Sequence, residues 1–130
     1  MTVMDALVGL AAAALTLGVA ALLPRPNTRL LLGILLGLVA GVYVGGALAK
    51  GGREELLIHG TVALAFVAAT LIAFQGRPVV LGIVWWLHAF WDLLLHGGYV
   101  ATSVAGWYPP ACLAYDAVIG GALVYWGTKR

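Results

Sequence analysis

The stretch Thr28–Ala49 reads TRLLLGILLGLVAGVYVGGALA, with one charge, Arg29, in its first turn. A helix on the surface of a soluble domain keeps a polar face for water. This stretch has none, and at 1.5 Å per residue it rises about 33 Å, enough to cross the ~30 Å hydrocarbon core of a bilayer. It reads as a transmembrane helix, and the chain repeats the pattern on either side of it.

Working outward, Pro24-Arg25-Pro26-Asn27 closes an earlier apolar run by proline and offers Asn27 or Thr28 as cap for the helix that follows. Lys50-Gly51-Gly52-Arg53-Glu54 and Gln75-Gly76-Arg77-Pro78 interrupt the chain in the same way. The pattern predicts an all-α fold, a polytopic transmembrane helical bundle of five spans: Val3–Leu23, Thr28–Ala49, Glu55–Phe74, Val79–Gly97 and Pro110–Trp126. Residues 1–130 then form a single transmembrane domain, with loops too short to hold a soluble one. The first run carries Asp5 and no Lys or Arg ahead of it, the wrong flank for a signal peptide, so it counts as the first span.

Composition agrees. Hydrophobic residues make up 63% of the chain and charged residues 9%, against about 25% charged in a soluble domain. So short a chain cannot hide that surplus from water, which predicts a multi-pass protein integral to the membrane, with membrane lipids as its neighbours. The net charge of +2 arises from scattered residues, and no basic patch exists to bind nucleic acid. One cysteine, Cys112, excludes an internal disulfide and any metal site built on a cysteine pair. With the N-terminus outside, Arg25, Arg29, Arg77, Lys129 and Arg130 fall on the cytoplasmic side and only Lys50 and Arg53 outside, so the positive-inside rule predicts N-out, C-in.

Gly33, Gly37, Gly41 and Gly45 recur every four residues and so lie along one stripe of the second span. A stripe of that kind admits another backbone closely, either a neighbouring helix of the same chain or a second copy in a homo-oligomer.

Ionisable groups are costly inside a membrane, so their placement directs attention to function. The fourth span carries His88, Asp92 and His96 at four-residue steps, each rotated about 40° from the last on one helix face. The third opens with Glu55 and His59, and the fifth carries Cys112 and Asp116, at the same spacing. Because successive spans alternate in direction, all of these sit in one half of the bilayer, the outer half if the N-terminus is outside. No Lys or Arg lies deep in any span, so Asp92 and Asp116 must be protonated, hydrogen-bonded, paired with histidine or bound to a metal. The plain alternative is a hydrogen-bond network that pins three helices together. Trp107, Tyr108, Tyr125 and Trp126 read as interfacial aromatics, Cys112 as a packing residue, and Tyr43 as a side chain able to reach the polar group from the second span.

The run Trp86-Leu87-His88-Ala89-Phe90-Trp91-Asp92, then His96, followed by Trp107-Tyr108-Pro109, Cys112 and Tyr115-Asp116, resembles an uncharacterised family of small bacterial multi-span membrane proteins. Pro24 to Asn27, Tyr43 to Gly46 and Glu55 are similar too, and Leu95-His96 stands where that family has two adjacent histidines. The resemblance implies the multi-span topology, a bacterial cytoplasmic membrane and the same choice of residues, and it carries no activity.

Chemistry narrows the function to three classes. His88, Asp92, Asp116, His59 and Glu55 are candidate catalytic groups of a membrane-embedded enzyme doing acid–base or metal-assisted chemistry on a lipid or isoprenoid-like substrate. His59, His88, Asp92, His96 and Asp116 are candidate ligands of a divalent ion, zinc, iron or manganese. The alternatives are an accessory subunit of a membrane complex, with haem held by His59 and His88 or His96, and a proton or cation transporter. The alternation of the spans predicts one cavity, open to the non-cytoplasmic side or the outer leaflet and lined by His59, His88, Asp92, His96 and Asp116.

Overall fold

The chain enters its first helix through a capping box: the Thr2 hydroxyl accepts from the Asp5 amide, and the Asp5 carboxylate accepts from the Thr2 amide, both at 3.1 Å. Two of the four unpaired N–H groups at that helix end are thereby satisfied. The computed structural model describes residues 2–129. Among them lie five helices and no strand: α1 (Val3–Ala21), α2 (Arg25–Lys50), α3 (Arg53–Ala73), α4 (Pro78–His96) and α5 (Tyr108–Thr128). Helices α1 to α4 are each long and apolar enough to cross a membrane. Helix α5 has comparable length, 21 residues, but Asp116, three tyrosines and two prolines make it less apolar than the others.

Proline sets two of the boundaries. Helix α2 begins at Arg25, ahead of the expected Thr28, because Pro24 takes the extended cap conformation and Pro26 falls in the first turn, where its missing N–H costs nothing. Neither Asn27 nor Thr28 is the cap. The Thr28 hydroxyl instead donates to the Ala20 carbonyl at 2.9 Å and ties the start of α2 to the end of α1. Helix α5 likewise starts at Tyr108 and carries Pro109 and Pro110 in its first turn.

The helices pack in the cyclic order α1, α5, α4, α3, α2, and α2 also touches α4 across the ring. Bonds between helix ends show that successive helices alternate in direction. Arg29 Nη2 donates to the carbonyls of Ala73, Phe74 and Gly76 at 3.1, 3.1 and 2.6 Å, and Arg77 Nη2 donates to Gly127 at 3.0 Å. Arg25, Arg29, Arg77 and Lys129 therefore gather at one end of the bundle, with Lys50 and Arg53 at the other. Arg130, counted with the first group, lies outside the described residues.

The most extensive seam runs between α4 and α5. A Cβ placed on Gly82 would stand 2.8 Å from the Gly120 oxygen, and one on Gly120 would stand 2.9 Å from the Gly82 oxygen. Only glycine permits that approach. Trp86 Nε1 donates across the same seam to the Ala117 carbonyl at 3.1 Å. The core alongside is Leu32, Leu36, Leu81, Trp85, Ile119 and Leu123. Large apolar side chains also cover the outside, with Leu15 and Leu64 each 72% exposed, a surface that hydrocarbon accepts and water opposes. Of the glycine stripe on α2, Gly33 is closed by Thr70 of α3 and by Phe74 just beyond its end, while a Cβ at Gly37, Gly41 or Gly45 would meet nothing within 4 Å.

Candidate functional site

Starting about one and two-thirds turns beyond Gly82, at His88, the α4–α5 seam carries its polar residues. His88, Asp92 and Asp116 are each 0% exposed. His88 Nδ1 stands 2.5 Å from Asp116 Oδ2 and 3.5 Å from Asp92 Oδ2. The four-residue step from His88 to Asp92 puts both on one face of α4, and the glycine seam brings that face against α5 at the level of Asp116. Cys112, one turn before Asp116, donates its thiol to Asp116 Oδ1 at 3.6 Å. From across the ring, the Tyr43 hydroxyl of α2 donates to Asp92 Oδ1 at 2.5 Å.

The result is a continuous polar chain, Tyr43–Asp92–His88–Asp116–Cys112, with Phe66 set edge-on to the His88 ring at 4.8 Å. No Lys or Arg takes part in it. Two acceptor and donor sites inside it lack a hydrogen bond: Asp92 Oδ2 and His88 Nε2. Such a chain can pass a proton between its members or present its lone pairs to a cation. A buried carboxylate oxygen without a hydrogen bond is expensive.

Three expected site residues stand apart from it. His59 is buried, but its Nε2 bonds the Ala101 carbonyl at 2.9 Å, and its ring stacks on Tyr43 at 5.6 Å. Helices α3 and α5 flank α4 on opposite sides, so the Tyr43 ring, 6.2 Å from that of His88, takes the place next to the cluster that His59 was expected to fill. Glu55 accepts from the Ser103 amide at 2.5 Å and the Ser103 hydroxyl at 2.8 Å. Together Glu55 and His59 fasten the segment between α4 and α5 over that end of the bundle. His96 is exposed at the last turn of α4: two steps of 40° from His88 carry it off the buried face.

The five residues expected to line one cavity, open to the non-cytoplasmic side or the outer leaflet, therefore do not come together. Instead an apolar cleft of ≈ 200 Å³ lies between α1, α2 and α5, walled by Val8, Ala12, Val39, Tyr108, Cys112 and Tyr115. It meets the polar chain at Cys112. Tyr108 also turns inward, against the interfacial expectation, and donates to the Val39 carbonyl at 3.2 Å while meeting the Tyr43 ring edge-on at 5.4 Å. The parts that sequence reasoning undervalued are thus Cys112 and Tyr108. Their signal was present in the four-residue steps Tyr108, Cys112, Asp116, which share one face of α5.

No curated protein and no solved structure matches the chain. Residues 4–129 match the model of DUF6010, a family of unknown function, and the chain belongs to that family.

Proposed function

We propose that the chain is a multi-pass membrane protein, all five helices spanning N-out and C-in, and that it is an enzyme acting on a lipid or isoprenoid-like substrate by acid–base or metal-assisted chemistry. One observation carries this reading: a fully buried His–Asp–Asp cluster without a basic partner adjoins an apolar cleft that suits a hydrocarbon chain. An apolar substrate diffuses in the bilayer and enters between α1 and α2. Its reactive end stops at Cys112 and Tyr108, against the polar chain. There Cys112 and Tyr108, which line the cleft, exchange a proton with the substrate, with Asp116 and His88 behind Cys112 to take it up, and a metal held by the cluster would supply Lewis-acid polarisation. The apolar walls keep water from competing. Four of the basic residues at one end and two at the other support the orientation.

The test is comparative lipid mass spectrometry on membranes from cells making the wild-type chain or Asp116→Asn, followed by incubation of each purified protein with a total lipid extract. The reading requires a lipid species that rises or falls with the wild type alone. Identical profiles in both settings would sink it.

A further inference from the structure

We propose that His88, Asp92, Cys112 and Asp116 form a binding site for one divalent transition-metal ion of the zinc type. One ligand atom from each of the four residues can be chosen so that all lie within 4.8 Å of one another, and all four residues are buried. Donors around tetrahedral zinc lie about 3.5 Å apart, given Zn–N, Zn–O and Zn–S bonds of ~2.0–2.3 Å. Small adjustments of side-chain torsion reach that spacing from here, since the His88–Asp116 pair needs to open and the wider pairs to close.

The hydrogen bonds give a second, independent reason. His88 Nδ1 faces two carboxylate oxygens, at 2.5 and 3.5 Å, but one ring nitrogen carries one proton and serves one acceptor well. Asp92 Oδ2 is the carboxylate oxygen of the cluster left without a hydrogen bond, in a side chain with no exposure at all. A cation at the centre accepts the lone pairs of all four groups together. It also supplies the positive charge that no Lys or Arg brings to the two carboxylates.

Donor identity selects the ion. One imidazole, two carboxylates and a thiolate suit zinc or ferrous iron, whereas magnesium and calcium favour oxygen alone. Cys112 binds as thiolate and gives up its proton on metal uptake. The Tyr43 hydroxyl, on the other oxygen of Asp92, orients that ligand from behind. His59 and His96, candidates from spacing, lie outside the set. This inference uses the same cluster as the enzyme reading, but it is tested by metal alone.

The experiment strips the detergent-purified full chain with chelator and titrates it with zinc, then with cobalt(II) as a spectroscopic stand-in. The expected result is one equivalent of zinc per chain and, with cobalt, the near-ultraviolet thiolate-to-metal absorption. Cys112→Ser removes that absorption, Asp92→Asn weakens zinc binding at least tenfold, and His96→Ala changes neither. The proposal is overturned if the wild type takes up no stoichiometric metal, if cobalt binds without the thiolate absorption, or if His96→Ala weakens binding as much as Asp92→Asn. The first two are read on the wild type, so a misfolded variant cannot shield the idea. Lipid turnover by a wild type that takes up no stoichiometric metal would overturn the cation and leave the enzyme reading standing. Stoichiometric binding with unchanged lipids would do the reverse.

Discussion

His88 sits between two carboxylates that it cannot serve equally, and each of the three is sealed from solvent. If this trio does the chemistry, Asp92→Asn and Asp116→Asn should each lower turnover of the responsive lipid by about 100-fold or more, the usual weight of a positioned acid or base. Asp5→Asn, in the capping box of α1, should leave turnover unchanged. Equal tolerance of all three substitutions in the lipid assay would remove the case for a site. Tyr43→Phe deletes the donor to Asp92 Oδ1 and should cost about 1–3 kcal/mol of stability, read by thermal unfolding in detergent. The trio was legible in the sequence because a four-residue step fixes two side chains on one face whatever the tertiary packing. Glu55 and His59 share a face just as firmly, yet spacing within α3 says nothing of where α3 stands around α4. Their partners, Ser103 and Ala101, lie in a loop that periodicity does not describe.

Among the elements, the α4–α5 seam and the cleft on the far side of α5 have separable roles. Gly120→Val would drive a methyl group into the Gly82 carbonyl and the Trp86 ring, and should destabilise the bundle by about 1–3 kcal/mol. Gly41→Val, into open space, should cost less than about 0.5 kcal/mol in the same thermal measurement. A similar loss at both positions would mean that the seam does not set the fold. Sequence reading singled out the α2 stripe and passed over Gly82 and Gly120, because a regular period is visible in one helix while a pair across two helices is not. The cleft has its own test. Ala12→Trp fills the ≈ 200 Å³ between α1 and α5 from an exposed wall position. It should cut lipid turnover at least about tenfold, on the principle that a blocked apolar path denies the substrate its near-attack position, while the melting temperature holds. Unchanged turnover would place the entrance elsewhere.

At the scale of the whole molecule, charge and helix direction together support the proposed orientation. Arg25, Arg29, Arg77 and Lys129 gather where α2 and α4 begin and α3 and α5 end, and Lys50 and Arg53 mark the opposite end. The positive-inside bias then predicts that the N-terminus and the α4–α5 loop face outward. Cysteine labelling can read this directly, because the native Cys112 is buried and gives little background. Gly106 is exposed in the α4–α5 loop with open space around it, and Gln75 is exposed in the α3–α4 loop at the other end. A membrane-impermeant maleimide applied to intact cells should label Gly106→Cys and spare Gln75→Cys, and opening the membrane should expose the second. The reverse pattern would invert the protein. It would also turn the loop fastened by Glu55 and His59 toward the cytoplasm, yet the cluster would keep its depth, because that depth follows from helix alternation and not from which side is out.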